Sequence, residues 1–143
     1  MTVSRKIAEL GNPILRENAQ RVTFPLSDEI KALIDDMMTT MSASNGVGIA
    51  APQVYESFAI FILAPRPNPR YPDAPFMEPM VVINPEIVER SDAMVKGWEG
   101  CLSIPGIRGI VPRHQRILTR FQILDGTTVE REFTDFPSRV FQH

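Results

Sequence analysis

A single cysteine, Cys101, stands among 143 residues. That excludes an internal disulfide and suits a reducing compartment. Long hydrophobic runs are missing too: no stretch approaches the roughly 18 apolar residues that a membrane helix needs. The N-terminal segment MTVSRKIAELGNPIL has no apolar core of the secretory type. Nor is there a basic stripe. The net charge is -2 and the pI is near 5.7, which argues against nucleic acid as a partner. No internal repeat or low-complexity tail is visible. Histidine is scarce, with only His114 and His143. What remains is 43% hydrophobic and 22% charged. That balance predicts a soluble, cytosolic single domain that buries roughly two-thirds of its unfolded surface.

Residues 26–45 read as a helix. Ile30, Leu33, Ile34, Met37, Met38 and Met41 recur on one face. Ser27 can cap the start, with Asp28 and Glu29 in the first turn. The three methionines are core filling. Small and turn-forming residues at 42–46 end the helix. Phe58–Ala64 (FAIFILA) is a short apolar run, the mark of a buried strand. Residues 65–79 hold six prolines, Pro65, Pro67, Pro69, Pro72, Pro75 and Pro79, and so form an ordered connection between strands. MVVIN and EIVER, on either side of Pro85, form one interrupted strand. Residues 117–124 alternate, turn at Asp125-Gly126, and return through Val129, Arg131 and Phe133 as a hairpin. In FTDFPSRVFQH, Thr134 or Asp135 caps a final helix and Pro137 lies in its first turn. Val140 and Phe141 begin its apolar face. A helix of about two turns is expected to bury little. Short strands, a hairpin and a long helix together give an α+β class.

Three features carry chemistry. GVGIAAPQ (Gly46–Gln53) has two glycines that let another group approach the main chain, and ends on an amide that both donates and accepts. Taken alone it is a tightly packed turn. Cys101 lies in WEGCLS, where Gly100 opens space beside the sulfur. It can be a buried thiol, a metal ligand, or a nucleophile with a histidine base. His143 lies on the apolar face of the last helix, whereas His114 sits in VPRHQR, read as a solvated polar turn between strands. A continuation H-E-x-x-H would put two imidazoles on one helix face, with a glutamate beside them as base. A sulfur and two nitrogens would then leave a metal's fourth position to water.

These pieces resemble the signature motifs of the peptide deformylase family: G-Φ-G-Φ-A-A-P-Q, E-G-C-L-S and Q-H-E-x-D-H. The first two are complete at Gly46–Gln53 and Glu99–Ser103. Of the third, Gln142 and His143 are present. The flanks LGNPILRENAQRV, VINPEI and IPGIRGIVPR also resemble the family. The resemblance implies one catalytic domain over 1–143, incomplete at its C-terminus, with mixed or antiparallel sheets packed around a central metal-binding helix. It implies hydrolysis of the N-formyl group from N-formylmethionine on nascent polypeptides. The cofactor implied is Fe2+, with Zn2+, Ni2+ or Co2+ as substitutes.

Residue by residue, the resemblance makes Cys101 and His143 metal ligands. Gln53 and the backbone N–H of Leu102 would receive the oxyanion. Val47 and Gly48 would hold the substrate, whose main chain adds as a strand near Gly48. Glu99 and Arg108 resemble the family's supporting pair, beside Gly100. Nascent chains and the ribosome are the partners implied, without direct nucleic-acid contact and without a membrane, in a bacterial cytoplasm or an organelle. The catalytic glutamate and third ligand lie outside the sequence. The 143 residues alone are therefore expected to be nearly inactive and destabilised, and a tail beginning E-x-D-H to restore hydrolysis. The alternative is a deformylase remnant that binds N-terminal peptides without turnover. A cysteine hydrolase is a third reading, separated by whether activity survives a chelator.

Overall fold

The computed structural model describes residues 2–143. Helix α1 spans Asp28–Ala43. Ser27 Oγ accepts from Ile30 N–H at 3.2 Å, the cap its sequence implies. Ile30, Leu33, Ile34, Met37 and Met41 are buried on one face, while Met38 is only partly covered. The helix stops where Asn45 turns to φ 55 and Gly46 N–H returns to Met41 O. It is two residues shorter at each end than its apolar pattern suggested.

Strands β1 (Gly48–Ala50), β2 (Ile60–Leu63), β3 (Met80–Arg90), β6 (Arg116–Gln122) and β7 (Thr128–Thr134) form one antiparallel sheet in the order β1-β2-β3-β6-β7. Its two faces bury separate cores. Ile60, Ile62 and Ile83 pack toward α1. Leu63, Val82, Ile117, Phe121 and Phe133 pack on the other side. Burial on both faces explains the continuous apolar run of β2. β3 carries the expected interruption: its register with β6 shifts between Ile83 and Glu86. Pro85 has no N–H to give there. Asn84, at φ 51, spans the gap by bonding both main-chain groups of Val22 at 2.8 Å. The β6–β7 hairpin pairs Ile117 with Phe133 and Phe121 with Val129. Gly126 takes φ 91 in its loop.

A second sheet was not legible in advance. β4 (Met94–Cys101) and β5 (Ile104–His114) pair only with each other. Four glycines and two prolines masked them as loop. His114 is thus the half-buried end of a strand and not a solvated turn: its Nδ1 lies 2.7 Å from Ser91 O. Helix α2 (Asp135–Gln142) packs against both sheets, with Thr134 at its N-cap. Its two turns bury more than helix length alone implied. Phe141 sits among Phe61, Phe121 and Phe133, and Ser138 and Arg139 are buried. Gln142 explains how so short a helix holds. Its amide accepts from His114 N–H at 2.9 Å and donates to His114 O at 2.8 Å, as another strand would.

Candidate active site

The Gly46–Gln53 run, the β4–β5 hairpin end and the end of α2 meet around a cavity of about 520 Å³. Val47, Gly48, Gln53, Cys101, Leu102 and His143 all line it. These residues are widely separated in the chain, and α2 brings them together by packing on both sheets. The glycines of the first motif serve this packing. A Cβ at Gly48 would lie 3.1 Å from Ile62 O and 3.2 Å from Val140 Cγ1. One at Gly46 would lie 3.2 Å from Leu102 Cδ1. The room that the absent side chains leave is therefore filled by the protein's own atoms.

Gln53 lies in a short 3-10 turn, Ala51–Val54. Its Oε1 accepts from Ala50 N–H at 2.9 Å. The amide is thereby oriented, and Nε2 points at Ser103 Oγ (3.1 Å) and Cys101 Sγ (3.7 Å). His143 follows α2, with its Nδ1 2.7 Å from Glu99 Oε1. That leaves Nε2 as the ring nitrogen available to Cys101. A hydrogen bond with His143 is the main cause that holds the Cys101 thiol below its ordinary value. Burial opposes it, and Ser103 adds to it. The same contact raises His143, against burial and with help from Glu99.

Glu99 is the hub beneath them. Burial alone would push its carboxyl up, but bonds from Arg113, His143 and Arg139 outweigh that and hold it at about 2. Arg113 makes a two-pronged contact, Nε at 2.9 Å and Nη2 at 2.8 Å. Arg139 Nη1 lies 2.7 Å from the second oxygen. The expected partner, Arg108, is elsewhere. Its Nη2 donates to Arg70 O at 2.9 Å and its guanidinium lies over Tyr71 and Trp98. The strand alternation decides this. Arg108 registers with Gly100, so it extends from the opposite face of the hairpin to Glu99. Arg113 and Arg139 were missed by the sequence reading. A buried carboxylate that requires cations was the available signal.

The depressed carboxyl sets a pH dependence. A group at 4.5 when unfolded and about 2 when folded stabilises the fold above pH 4.5 and loses that contribution as pH falls toward 2. The amount is on the order of 3 kcal/mol. Thermal melts of the protein should therefore fall more steeply between pH 5 and 3 than those of Glu99→Gln. Parallel curves would remove Glu99 as the cause.

Cys101 and His143 offer a thiolate and an imidazole whose far nitrogen is held by a carboxylate, a donor set that fits a borderline-soft divalent cation. Among the described residues, no cluster of three His, Cys, Asp or Glu side chains is assembled.

The polypeptide deformylase family model matches residues 4–143. Peptide deformylase 2 of Nostoc sp. is 53% identical over 137 residues, covering 96% of this chain and 76% of that protein. Peptide deformylase 2 of Shewanella oneidensis is 50% identical, with 96% and 75% covered. A class I type b peptide deformylase from Acinetobacter baumannii, solved with Met-Ala-Ser bound, superposes with a TM-score of 0.96 at 47% identity. That match covers 100% of this chain and 91% of the solved one. The α+β fold, with its antiparallel sheets gathered on a short helix, agrees with these matches. With motif, fold and relatives concurring, the chain belongs to the polypeptide deformylase family.

Proposed function

We propose that this protein removes the formyl group from the N-formylmethionine of newly made polypeptides, using a divalent cation held by Cys101 and His143. Peptide deformylases are metal-dependent hydrolases, and the matched relatives carry that name. The observation that carries the reading is the convergence of the Cys101 thiol, the His143 ring and the Gln53 amide on one cavity.

When bound, the cation supplies polarisation of the formyl carbonyl and a water acidic enough to attack at neutral pH. Iron(II) is the ion we assign, with zinc, nickel or cobalt as substitutes suited to the same sulfur and nitrogen donors. The chain's own residues prepare the rest. The hydrogen bond with His143 holds the Cys101 thiol below its ordinary value. Glu99 accepts the Nδ1 proton, so Nε2 is the nitrogen that would ligate the cation. As negative charge builds on the formyl oxygen, the Gln53 amide and Leu102 N–H receive it. Gly48 shares the outer edge of β1 with Ala50, whose N–H leaves the sheet for Gln53. A substrate main chain can pair there with little regard to its side chains. Val47 lies beside that edge and contributes to the pocket for the methionine side chain. Nascent formylated polypeptides are the substrate class, in a bacterial cytoplasm or its organellar counterpart. A remnant that binds without turnover finds no support among relatives named as deformylases.

The test is formate release from formyl-Met-Ala-Ser by the full-length protein. Chelation should cut the rate by about a hundredfold or more, and iron(II) or nickel should restore it. Turnover that survives metal removal would replace the cation with a thiol nucleophile, a reading that the same Cys101–His143 contact favours. Absence of formate under every metal loading would sink the function.

A further inference from the structure

Helix α1 buries an acid. Asp36 is 6% exposed, and Thr40, one turn later, is 1% exposed. Buried polar side chains need partners, and here the partners come from the N-terminal segment. Val3 N–H donates to Asp36 Oδ1 at 2.9 Å, and Arg5 Nε donates to Asp36 Oδ2 at 2.8 Å. Thr40 Oγ1 donates to Asp36 O at 2.8 Å and accepts from Arg5 N–H at 2.8 Å. Arg5 Nη1 also reaches Glu56 Oε1 at 3.3 Å, just past the turn that carries Gln53.

From this anchor the segment crosses to the cavity. Residues 2–9 form no helix or strand, so their main-chain groups are free to bond elsewhere. Ala8, fully buried, donates its N–H to Gln53 O at 2.6 Å. Two residues later, Leu10 N–H donates to Ser103 O at 2.8 Å. Two residues reach at most about 7 Å, so these two carbonyls are tied close together.

Gln53 and Ser103 are the residues whose spacing matters to the proposed chemistry. Gln53 supplies the amide assigned to the oxyanion, and Ser103 follows Leu102, whose N–H is the other donor. The two donors attach to different sheets. Gln53 follows β1, and Leu102 lies in the turn between β4 and β5. Their separation is therefore set by packing and not by local geometry. One side-chain bond, Gln53 Nε2 to Ser103 Oγ at 3.1 Å, closes the span. The N-terminal main chain closes it a second time.

We propose that residues 3–10 form a brace that fixes the separation of the two oxyanion donors, with Arg5 and Asp36 as its anchor on α1. This rests on the deformylase reading above. Arg5, Ala8, Leu10 and Asp36 are positioning residues, and none touches a reacting atom. The oxyanion develops only on the way to the transition state. A slack brace therefore slows turnover at saturating peptide and leaves ground-state binding alone.

The turn at the end of the brace supplies the test. Asn12 N–H donates to Glu9 O at 3.0 Å and Gly11 takes φ 99, so Leu10 and Gly11 are the central residues of a type II turn. Proline is favoured at the first of these positions. Leu10→Pro thus suits the fold while it removes the N–H that holds Ser103 O. The Leu10 side chain is 68% exposed, so little packing is lost. Formate release from formyl-Met-Ala-Ser by the full-length protein should show kcat lowered about tenfold and KM within about twofold of wild type. The melting temperature should stay within about 3 °C. Leu10→Ala keeps the N–H and should stay within about twofold of wild type in kcat. Arg5→Met slackens the brace from its anchored end and should lower kcat about threefold, with part of the loss recovered by Arg5→Lys. In a Gln53→Ala background only one donor is left to place, so Leu10→Pro should cost less than about threefold there. The full loss in that background would show general damage and overturn the proposal. So would a kcat within about twofold of wild type in both Leu10→Pro and Arg5→Met, or a loss carried by KM. An equal loss in Leu10→Ala would assign the effect to the side chain and overturn it as well. A wild-type protein that releases no formate under any metal loading would overturn the deformylase reading itself, and the brace with it.

Discussion

Replacing Arg139 with methionine should lower the melting temperature by about 10 °C. The residue is 7% exposed in α2 and ties that helix to both strands of the smaller sheet. Nη1 donates to Glu99 Oε2 and Val111 O at 2.7 Å each, and more weakly to Gly97 O. Nη2 donates to Val95 O. Its loss strips a buried carboxylate of one partner and leaves carbonyls on β4 and β5 unmatched. Breaking a buried ion pair costs roughly 3–5 kcal/mol. Arg113 and His143 still hold Glu99, so the lower figure applies. At this size, each kcal/mol moves the midpoint by about 3–4 °C. Arg139→Lys should recover little, because one ammonium cannot reach acceptors spread over two strands. Gly97→Ala attacks the same clamp from the other side. Its Cβ would stand 2.8 Å from Arg139 Cζ, so the guanidinium must move. A midpoint for Arg139→Met within about 3 °C of wild type would show that the clamp contributes nothing.

The second large effect is kinetic. Gln53→Ala should reduce the rate of formate release at saturating peptide by about 10²–10³, a barrier increase of about 3–4 kcal/mol. The donor is held in place before any substrate arrives, because Ala50 N–H fixes the carbonyl end of the amide. Preorganisation of this kind is what makes a single donor worth so much. Gln53→Glu is the sharper probe. It keeps an acceptor for Ala50 N–H but turns a carboxylate oxygen toward Cys101, so it should be no better than alanine. The melting temperature of Gln53→Glu should fall only slightly, since the structural contact it loses is the bond to Ser103 Oγ, whereas Gln53→Ala also loses the acceptor for Ala50 N–H and should fall further. A Gln53→Ala rate within tenfold of wild type would remove the amide from the chemistry.

Local signals carried much of the architecture. α1 was readable because its cap, acidic first turn and apolar repeat all lie within one short segment. The β6–β7 hairpin was readable from alternation and an Asp-Gly turn. The interruption of β3 was readable from one proline. The β4–β5 pair was hidden by glycines and prolines, and its outer side chains, such as Trp98 (55% exposed) and Ile110 (57% exposed), show no buried alternation to detect. Of the candidate site, Gln53, Cys101, Leu102 and His143 were named from their motifs, and folding brings them to one cavity.

The chain's order of residues determined which chemical groups are present and how each short segment is shaped: a lone thiol, an amide behind two glycines, an imidazole at the end of a helix. The packing of distant segments decided which charges meet. Glu99 lies 14 residues from Arg113 and 40 from Arg139, and pairs with both; Arg108, closer in sequence, faces away. Tyr71 finds Gly100 across 29 residues in the same way. Local propensity is written in neighbouring residues. The partner of a buried charge depends on strand register and helix docking, and these settle only when the apolar faces close on one another.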